Sequence, residues 1–264
     1  MNSISGNYAI VTGASSGLGK ALAEALARRG HNILVVSLPG TGLPEQADAL
    51  AARYDISVRF IEADLMRAEA PGEIWRFVAD QNLDVDILIN NAGIGHGGPV
   101  GEYSETAIGE SVFLNMRCTT QLTNIFIEEL KQRERAYLLN IGSFGGFMPV
   151  PYKSIYSASK SYIYHFSLAI KEELHGTGIS VSVAMPGPIL TNELVRERIS
   201  RMGFVARSNV LEADKAASYI VKMMYRGTAV IIPRWTIRLS YAIGTVLPFK
   251  LLLVLLGRIF KGVG

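Results

Sequence analysis

The chain of 264 residues contains little cysteine and little charge. Its single cysteine, Cys118, excludes an internal disulfide and fits a reducing compartment, where a lone thiol in an apolar stretch is usually a small core residue. Charged residues make up only 19% of the chain and hydrophobic ones 49%, which excludes a disordered polypeptide. The length is sufficient for one large α/β core. No nucleic-acid partner and no metal site are expected.

Long uninterrupted apolar runs are also missing. The amino terminus, residues 1–6, has neither a basic stretch nor an apolar run, so no signal peptide is expected. Near the carboxyl end Pro248 and Lys250 interrupt the apolar sequence, whereas a membrane-spanning helix needs about 20 consecutive apolar residues. The sequence therefore predicts a cytoplasmic protein.

Acidic residues are absent after Tyr225. This tail carries six of the 26 basic residues, which leaves 20 basic against 23 acidic residues in the rest of the chain. The tail is also rich in apolar and aromatic residues, among them Trp235 and Tyr241. This pattern favours a pair of interfacial helices on the inner, anionic face of a membrane. The alternatives are helices that cap a substrate pocket or that are buried in an oligomer interface.

Short apolar runs alternate with helical patterns along residues 1–232. The predicted strands are Tyr8–Thr12, Asn32–Ser37, Ser57–Glu62, Asp86–Asn90, Tyr137–Ser143, Ile179–Met185 and Val230–Ile232. The predicted helices are Lys20–Arg29, Glu45–Tyr54, Glu73–Gln81, Ile108–Gln132 and a long helix over 152–175. Such alternation predicts one Rossmann-like α/β domain, a doubly wound parallel sheet of about seven strands with helices on both faces. Residues 233–264 are expected to form an apolar helical extension.

A glycine-rich turn follows the first predicted strand and precedes a helix. Glycines let the backbone approach a pyrophosphate closely, and the N–H groups of a helix N-terminus bind it. Lys20 is followed by Ala21 and not by serine or threonine, which excludes a magnesium-binding P-loop. The turn therefore predicts a dinucleotide phosphate site. Its expected members are Gly13, Ser15, Ser16, Gly17, Leu18 and Gly19.

Tyr156 and Lys160 are four residues apart on a predicted helix and so share one face. An ammonium group beside a phenol favours the phenolate, so Lys160 is expected to lower the pKa of Tyr156. A free tyrosine has a pKa of about 10 and is a poor base at neutral pH. The Ser143 hydroxyl, arriving from another element, would hold a substrate oxygen beside the phenol. Together these three residues predict proton transfer to or from an alcohol or carbonyl.

At this point the chain resembles the short-chain dehydrogenases/reductases. The matching pieces come in the family's order and at its usual spacings, from about residue 5 to 232. They are Thr12-Gly-Ala-Ser-Ser-Gly-Leu-Gly19, Asp64-Leu65, Asn90-Asn-Ala-Gly93, Asn115, Ser143, Tyr156-x-x-x-Lys160 and Pro186-Gly187. The resemblance implies a hydride-transferring oxidoreductase whose catalytic residues are Asn115, Ser143, Tyr156 and Lys160.

The resemblance also assigns cofactor-binding roles. Asp64 and the backbone of Leu65 would contact the adenine, and a helix cap is the alternative role of Asp64. Lys160 would also hydrogen-bond the nicotinamide ribose, and Asn115 would support a water in a proton relay. The residues Asn91, Ala92 and Gly93 would line the ribose side, and Pro186, Gly187, Ile189 and Thr191 would hold the nicotinamide and its carboxamide.

The end of the second predicted strand bears on the choice of cofactor. NAD-preferring relatives usually place an acid there, which binds the ribose hydroxyls and repels a 2′-phosphate. Here that position is Ser37, followed by Leu38, which favours NADP(H) over NAD(H). The arginine that NADP enzymes often carry just after this strand is missing, and Ser16 stands where some have a basic residue.

Apolar residues follow two of the motifs. Phe144, Phe147, Met148 and Val150 come directly after Ser143, and Val195, Ile199, Met202, Phe204 and Val205 lie in the loop 190–209, where relatives keep a substrate lid. Apolar pockets with few polar groups suit lipophilic ligands. The stretch 142–151 resembles the branch of the family that reduces ketoacyl, ketosphingoid or steroid ketones.

We therefore expect reduction of a lipophilic ketone to a secondary alcohol. Oxidation of a hydroxysteroid or another secondary alcohol is the first alternative. A dinucleotide-binding regulatory protein without catalysis is the second, and the complete set of catalytic residues argues against it. Relatives usually pair through the two long helices, so a homodimer or homotetramer is expected.

Overall fold

The computed structural model describes residues 6–190 and 210–261. Seven parallel strands form its main sheet in the order β3-β2-β1-β4-β5-β6-β9. The strands are β1 (Tyr8–Thr12), β2 (Asn32–Ser37), β3 (Val58–Glu62), β4 (Val85–Asn90), β5 (Ala136–Ile141), β6 (Ile179–Ala184) and β9 (Val230–Ile231). Two short strands, β7 (Ile189–Leu190) and β8 (Leu211–Glu212), pair in parallel outside this sheet.

Helices connect the strands and cover the sheet on both faces. They are α1 (Gly17–Ala27), α2 (Leu43–Tyr54), α3 (Ala70–Asp80), α4 (Glu105–Val112), α5 (Thr119–Lys131), α6 (Ser154–Glu173), α7 (Ala213–Tyr225), α8 (Trp235–Val246) and α9 (Phe249–Phe260). Every residue of β1, β2, β4 and β5 is buried, as expected for strands covered on two sides. One apolar cluster includes α1 and α7, and a second includes α3 and α5.

The sheet confirms the predicted doubly wound fold. The strand order reverses between β1 and β4, which opens a crevice beyond the carboxyl ends of these strands. The predicted strands agree with the structure within a few residues at each end. The sequence analysis did not predict the helix α7 or the small β7–β8 sheet.

The predicted helix Ile108–Gln132 is the main departure. The helix begins at Glu105, where the Ser104 hydroxyl accepts a hydrogen bond from the Ala107 N–H (3.1 Å). A π-helical segment, Phe113–Cys118, then separates α4 from α5 and carries Asn115. Such π-helical turns are rare and are frequent at functional sites. Cys118, the last residue of this segment, is 2% exposed.

Candidate functional site

The glycine turn after β1 has a shape that only glycine permits at two positions. Gly13 and Gly17 have φ angles of 65° and 53°, in the left-handed region that other residues rarely adopt. A Cβ atom on Gly19 would lie 2.0 Å from the Gly13 carbonyl oxygen, so α1 packs directly on the turn. The cradle of the turn is therefore built of backbone.

The N-terminus of α1 opens into this cradle. Ser16 is its N-cap residue, and within the described chain no side-chain cap bond is made there. The first N–H groups of a helix need partners, and their dipole favours an anion. The N-terminus of α1 thus presents backbone N–H groups that suit an anion.

Thr12 and Asn91 hold the turn against the end of β4. The Asn91 side chain donates to the carbonyl oxygens of Thr12 (2.8 Å) and Gly13 (3.2 Å). The Thr12 hydroxyl accepts from the N–H groups of Asn91 and Ala92, both at 3.0 Å. Asn91 therefore fixes the geometry of the turn, a role that the sequence motif alone does not reveal.

Ser37, at the end of β2, is buried and bonded to the same turn. Its hydroxyl donates to the Ser15 hydroxyl at 2.7 Å, and the Gln46 side chain donates to the Ser15 carbonyl at 2.7 Å. Glu62, opposite Ser37 in the sheet register, accepts a hydrogen bond from the Gly40 N–H at 2.9 Å. A carboxylate from β3 thus reaches the loop after β2, which sequence reasoning missed.

Asp64 and Leu65 follow β3 at the same edge of the sheet. One carboxylate oxygen of Asp64 accepts from the Met66 N–H at 2.9 Å, which is the local turn-capping arrangement of an aspartate. Leu65 is 4% exposed and belongs to the core. Asp64 therefore has a structural task in addition to any contact with a ligand.

Asn115 links three elements at the centre of the site. Its side-chain oxygen accepts from the Ile94 N–H (2.9 Å), and its amide donates to the Ile94 carbonyl (2.9 Å) and the Ser159 hydroxyl (3.0 Å). The residue is 1% exposed, so these bonds satisfy a buried amide. The π-helical segment is the turn that positions Asn115 between the loop after β4 and helix α6.

Ser143 and Tyr156 meet as predicted. Ser143 follows β5, and its hydroxyl accepts from the Gly145 N–H at 3.2 Å. It also hydrogen-bonds the Tyr156 phenol. Glycine at position 95 leaves room for this ring, since a Cβ there would lie 3.2 Å from the Tyr156 Cε2 atom.

The pKa of Tyr156 corrects one sequence expectation. Part of the ring is exposed, yet the protein surrounds the phenol closely enough that burial raises its pKa above the ordinary 10.0. The hydrogen bond from Ser143 opposes this shift, and Lys160 makes no resolved contribution to it. The expected lowering of the pKa by Lys160 was therefore wrong, because burial raises the pKa of Tyr156 and no effect of Lys160 on it is resolved. Tyr156 is a neutral phenol at neutral pH.

Lys160 lies one helical turn after Tyr156 on α6, in a buried position. Its ammonium donates to the Ile141 carbonyl at 3.0 Å, and the residue is only 6% exposed. Burial lowers its pKa from 10.5 to about 8, because an ammonium is poorly solvated there. A Cβ atom on Gly93 would lie 3.2 Å from the Lys160 Nζ atom and 3.0 Å from the Asn115 Oδ1 atom. Both groups therefore face the backbone of Gly93.

The loop after β6 closes one side of the crevice. Pro186 is buried, and its carbonyl accepts from the Phe144 N–H at 2.8 Å, which ties this loop to the one that carries Ser143. Gly187 and Ile189 are partly buried beside it. Thr191 and the predicted lid residues Val195, Ile199, Met202, Phe204 and Val205 lie outside the described residues.

The apolar residues after Ser143 form a wall that helix α8 covers. The Phe147 ring lies 4.3 Å from the Tyr241 ring and 5.1 Å from the Tyr164 ring, measured between centroids. A Cβ atom on Gly244 would lie 3.0 Å from the Met148 Cε atom. The inner face of α8 therefore packs on the wall.

A dinucleotide fits the crevice of this structure. The glycine turn brings its backbone tightly against the end of β4, since a Cβ atom on Gly13 would lie 2.9 Å from the Ala92 Cα atom, and it carries no side chain at Gly13, Gly17 or Gly19 that would keep a pyrophosphate from the backbone. Among the described residues no cluster of histidine, cysteine, aspartate or glutamate is arranged to hold a metal ion. A doubly wound sheet with a glycine turn after β1 and a Ser143–Tyr156–Lys160 group is the arrangement of a dinucleotide-dependent oxidoreductase.

Comparison with known proteins narrows this class. The family model of the short chain dehydrogenases matches residues 7–201. The chain belongs to the short-chain dehydrogenase family, which confirms the resemblance found in its motifs.

Curated relatives from fungi share about a third of their residues with the matched region. The very-long-chain 3-oxoacyl-CoA reductase of Aspergillus terreus is 36% identical over 183 residues, which cover 67% of this chain and 51% of that protein. The protein of the same name from Pyricularia oryzae is 35% identical over 188 residues, with coverages of 68% and 55%. The chain thus spans about half the length of the curated relatives it matches.

Solved structures show the same fold over nearly the whole chain. A short-chain dehydrogenase from Sphingobium yanoikuyae in complex with NADPH has a TM-score of 0.77 and 28% identity, and the match covers 90% of this chain and 93% of that one. A bulky-bulky ketone specific alcohol dehydrogenase from Comamonas testosteroni has a TM-score of 0.75 and 27% identity, with coverages of 92% and 95%.

Proposed function

We propose that this protein reduces a lipophilic ketone, of the 3-keto lipid, ketosphingoid or steroid kind, to a secondary alcohol with NADPH. The observation that carries the proposal is the hydrogen-bonded Ser143–Tyr156 pair, which lies beside an apolar wall. Relatives named very-long-chain 3-oxoacyl-CoA reductases support an acyl-chain ketone, and the ketone-specific neighbour supports a bulky one.

The protonation state of Tyr156 favours the reducing direction. Because burial raises its pKa, the phenol is protonated at neutral pH and can give a proton to the carbonyl oxygen that becomes the alcohol. Ser143 would donate a hydrogen bond to the same oxygen and so hold it beside the phenol. When bound, the nicotinamide supplies the hydride.

Lys160 would support this step in two ways. With a pKa of about 8, its ammonium is charged at neutral pH and can hydrogen-bond a ribose hydroxyl. When Tyr156 gives up its proton, its oxygen becomes negative. The positive charge of Lys160 would stabilise this phenolate more than it stabilises the neutral phenol before proton transfer. Asn115 would position Lys160 and the loop after β4 by holding Ile94.

The test of the assignment is Tyr156→Phe, measured with a panel of long-chain 3-keto thioesters, keto lipids and steroid ketones. We expect loss of at least about 100-fold in turnover, since a positioned proton donor contributes that much or more, while dinucleotide binding is retained. The matched control is Tyr162→Phe on the same helix, α6, which removes a hydroxyl that hydrogen-bonds Thr120 on α5. Near-normal turnover of Tyr156→Phe would refute the catalytic assignment.

The preference for NADP(H) over NAD(H) is part of the proposal. Ser37 ends β2 without an acid, and the Sphingobium yanoikuyae neighbour is in complex with NADPH. Glu62 works against this preference, since its carboxylate lies at the loop after β2. We expect Glu62→Gln to raise the ratio of kcat/KM for NADPH to that for NADH by up to about five-fold, because exposed charge pairs are worth at most about 1 kcal/mol. A wild-type protein that works better with NADH would overturn the preference.

We also propose a homodimer or homotetramer formed through α4 to α6. Ile108, Val112 and Phe113 are exposed on the predicted pairing surface, where solvent-facing apolar side chains favour association. Light scattering on Val112→Asp should then report a smaller particle than the wild type. An unchanged mass would place the oligomer contact elsewhere or exclude it.

A further inference from the structure

The tail helices α8 and α9 leave a large apolar surface exposed. Of the sixteen large hydrophobic side chains that are exposed in the described residues, nine lie between Trp235 and Ile259. We call this surface the outer face. It consists of Trp235, Leu239, Ile243, Val246, Phe249, Leu251, Val254, Leu255 and Ile259.

The spacing of these residues makes the outer face continuous along each helix. On α8 the exposed residues are three or four positions apart, which places them in one stripe. On α9 Leu251, Leu255 and Ile259 are four positions apart and form a similar stripe. Trp235 is 71% exposed and Val246 is 84% exposed.

The opposite side of the tail helices is fixed to the catalytic domain. On α8, Ile237 is 2% exposed and Tyr241 contacts Phe147. On α9, a Cβ atom on Gly257 would lie 3.9 Å from the Pro151 Cγ atom, and the Lys153 ammonium lies 5.6 Å from the centre of the Phe260 ring. The inner sides of α8 and α9 therefore hold the helices on the catalytic domain, while the outer face remains exposed.

Charge identifies the kind of surface that fits the outer face. The chain has no acidic residue after Tyr225, and Lys250, Arg258 and Lys261 are exposed on or beside α9. In the described part of the chain these three cations form no ion pair. An apolar stripe with tryptophan and with flanking cations suits the boundary between lipid headgroups and acyl chains.

We propose that the outer face rests on an anionic phospholipid bilayer and holds the catalytic domain at the membrane surface. Each tail helix has 12 residues, which is about 18 Å of helix against a hydrocarbon core of about 30 Å. None of the described helices is long and apolar enough to cross a membrane. The helices would therefore lie in the plane of the interface, with the outer face toward the acyl chains.

A second copy of the chain fits this surface less well. A symmetric contact between two outer faces would bring the cations of both tails together without an acid from either tail to neutralise them. An anionic bilayer neutralises these charges and covers the apolar stripe at the same time.

The test is co-sedimentation of the full chain with vesicles of phosphatidylcholine alone and with about one third phosphatidylglycerol. Basic residues near an anionic surface are worth about 1 kcal/mol each, so reversing Lys250, Arg258 and Lys261 to glutamate should lower partitioning on the order of 100-fold or more. The matched control reverses Arg76, Arg135 and Lys222, which are exposed elsewhere and change the net charge equally.

The apolar contribution is tested separately with Ile243→Ser and Val254→Ser in one chain, against the control Phe60→Ser on β3. We expect the double variant to lose partitioning while circular dichroism and the control stay unchanged. Equal binding of all charge variants, or no preference for anionic vesicles, would overturn the proposal. The proposal would also be overturned if the wild type were a dimer that does not bind vesicles and light scattering showed that Ile243→Ser and Val254→Ser together dissociate this dimer. Vesicle binding is measured without substrate, so its failure would leave the proposed reaction untouched.

Discussion

Replacing Lys160 by methionine should make the protein more stable at neutral pH while removing its activity. Burial lowers the pKa of the Lys160 ammonium from 10.5 to about 8. At 1.36 kcal/mol for each pKa unit, the buried charge lowers the free energy of unfolding by about 3 kcal/mol at neutral pH. The lost hydrogen bond to the Ile141 carbonyl costs about 1.5–3 kcal/mol for a bond from a charged donor, so the net gain is at most about 1.5 kcal/mol.

The pH dependence isolates the charge from the hydrogen bond. A lysine whose pKa is lower in the folded chain binds fewer protons there than in the unfolded chain. The free energy of unfolding of the wild type therefore rises with pH between about 8 and 10.5, and that of Lys160→Met lacks this contribution. We expect the wild type to gain about 2 kcal/mol relative to Lys160→Met between about pH 7 and pH 10.

Urea denaturation of both proteins across this pH range measures the difference directly. Lys222→Met, which removes an exposed lysine from α7, is the matched control and should show no such change. A difference between wild type and Lys160→Met that stays constant with pH would refute the reasoning, because Lys160 would then have the same pKa in the folded and unfolded chains.

Two further substitutions test the frame of the site. Gly19→Ala should abolish dinucleotide binding and lower the free energy of unfolding by about 1–3 kcal/mol, since its Cβ would lie 2.0 Å from the Gly13 carbonyl oxygen. Gly72→Ala, where a Cβ meets no atom within 4 Å, should instead stabilise α3 by up to about 1 kcal/mol, and thermal denaturation compares the two. Asn115→Leu should cost about 1–3 kcal/mol for each backbone group of Ile94 that it leaves unpaired, and unchanged denaturation curves would contradict this role.

The sequence predicted the sheet well because its strands are buried on both faces. Continuous apolar runs such as residues 33–36 of β2 have few other places in a globular protein, and the turn residues mark their ends. The meeting of Ser143 with Tyr156 was also predictable, since both belong to motifs with fixed spacing. These features depend on local sequence and on the general rules of parallel sheets.

The side-chain contacts of the site were less predictable. Asn115 was expected in a regular helix, but its three hydrogen bonds to Ile94 and Ser159 are accompanied by a π-helical turn. The Glu62 side chain reaches the loop after β2, and the Gln46 side chain reaches the turn after β1. Neither residue lies in a motif. Such contacts are set by the packed structure, which a pattern along the chain does not encode.

The direction of the pKa shift at Tyr156 could not be predicted from the sequence for a similar reason. Spacing on a helix indicates which charge is near the phenol, but it does not indicate how far both groups are removed from water. In the structure desolvation is the largest influence on Tyr156 and on Lys160. The sign of the shift at Tyr156 could therefore be obtained only from the burial of the folded chain.

The buried position of Cys118 makes the protein convenient for site-specific labelling. Burial raises the pKa of its thiol from 9.0 to about 12, so almost no thiolate is present at neutral pH. Maleimide reagents react with the thiolate and would leave Cys118 unmodified in the folded protein. A cysteine introduced at an exposed position such as Val246 could then carry a spin label or a fluorophore without removal of the native thiol.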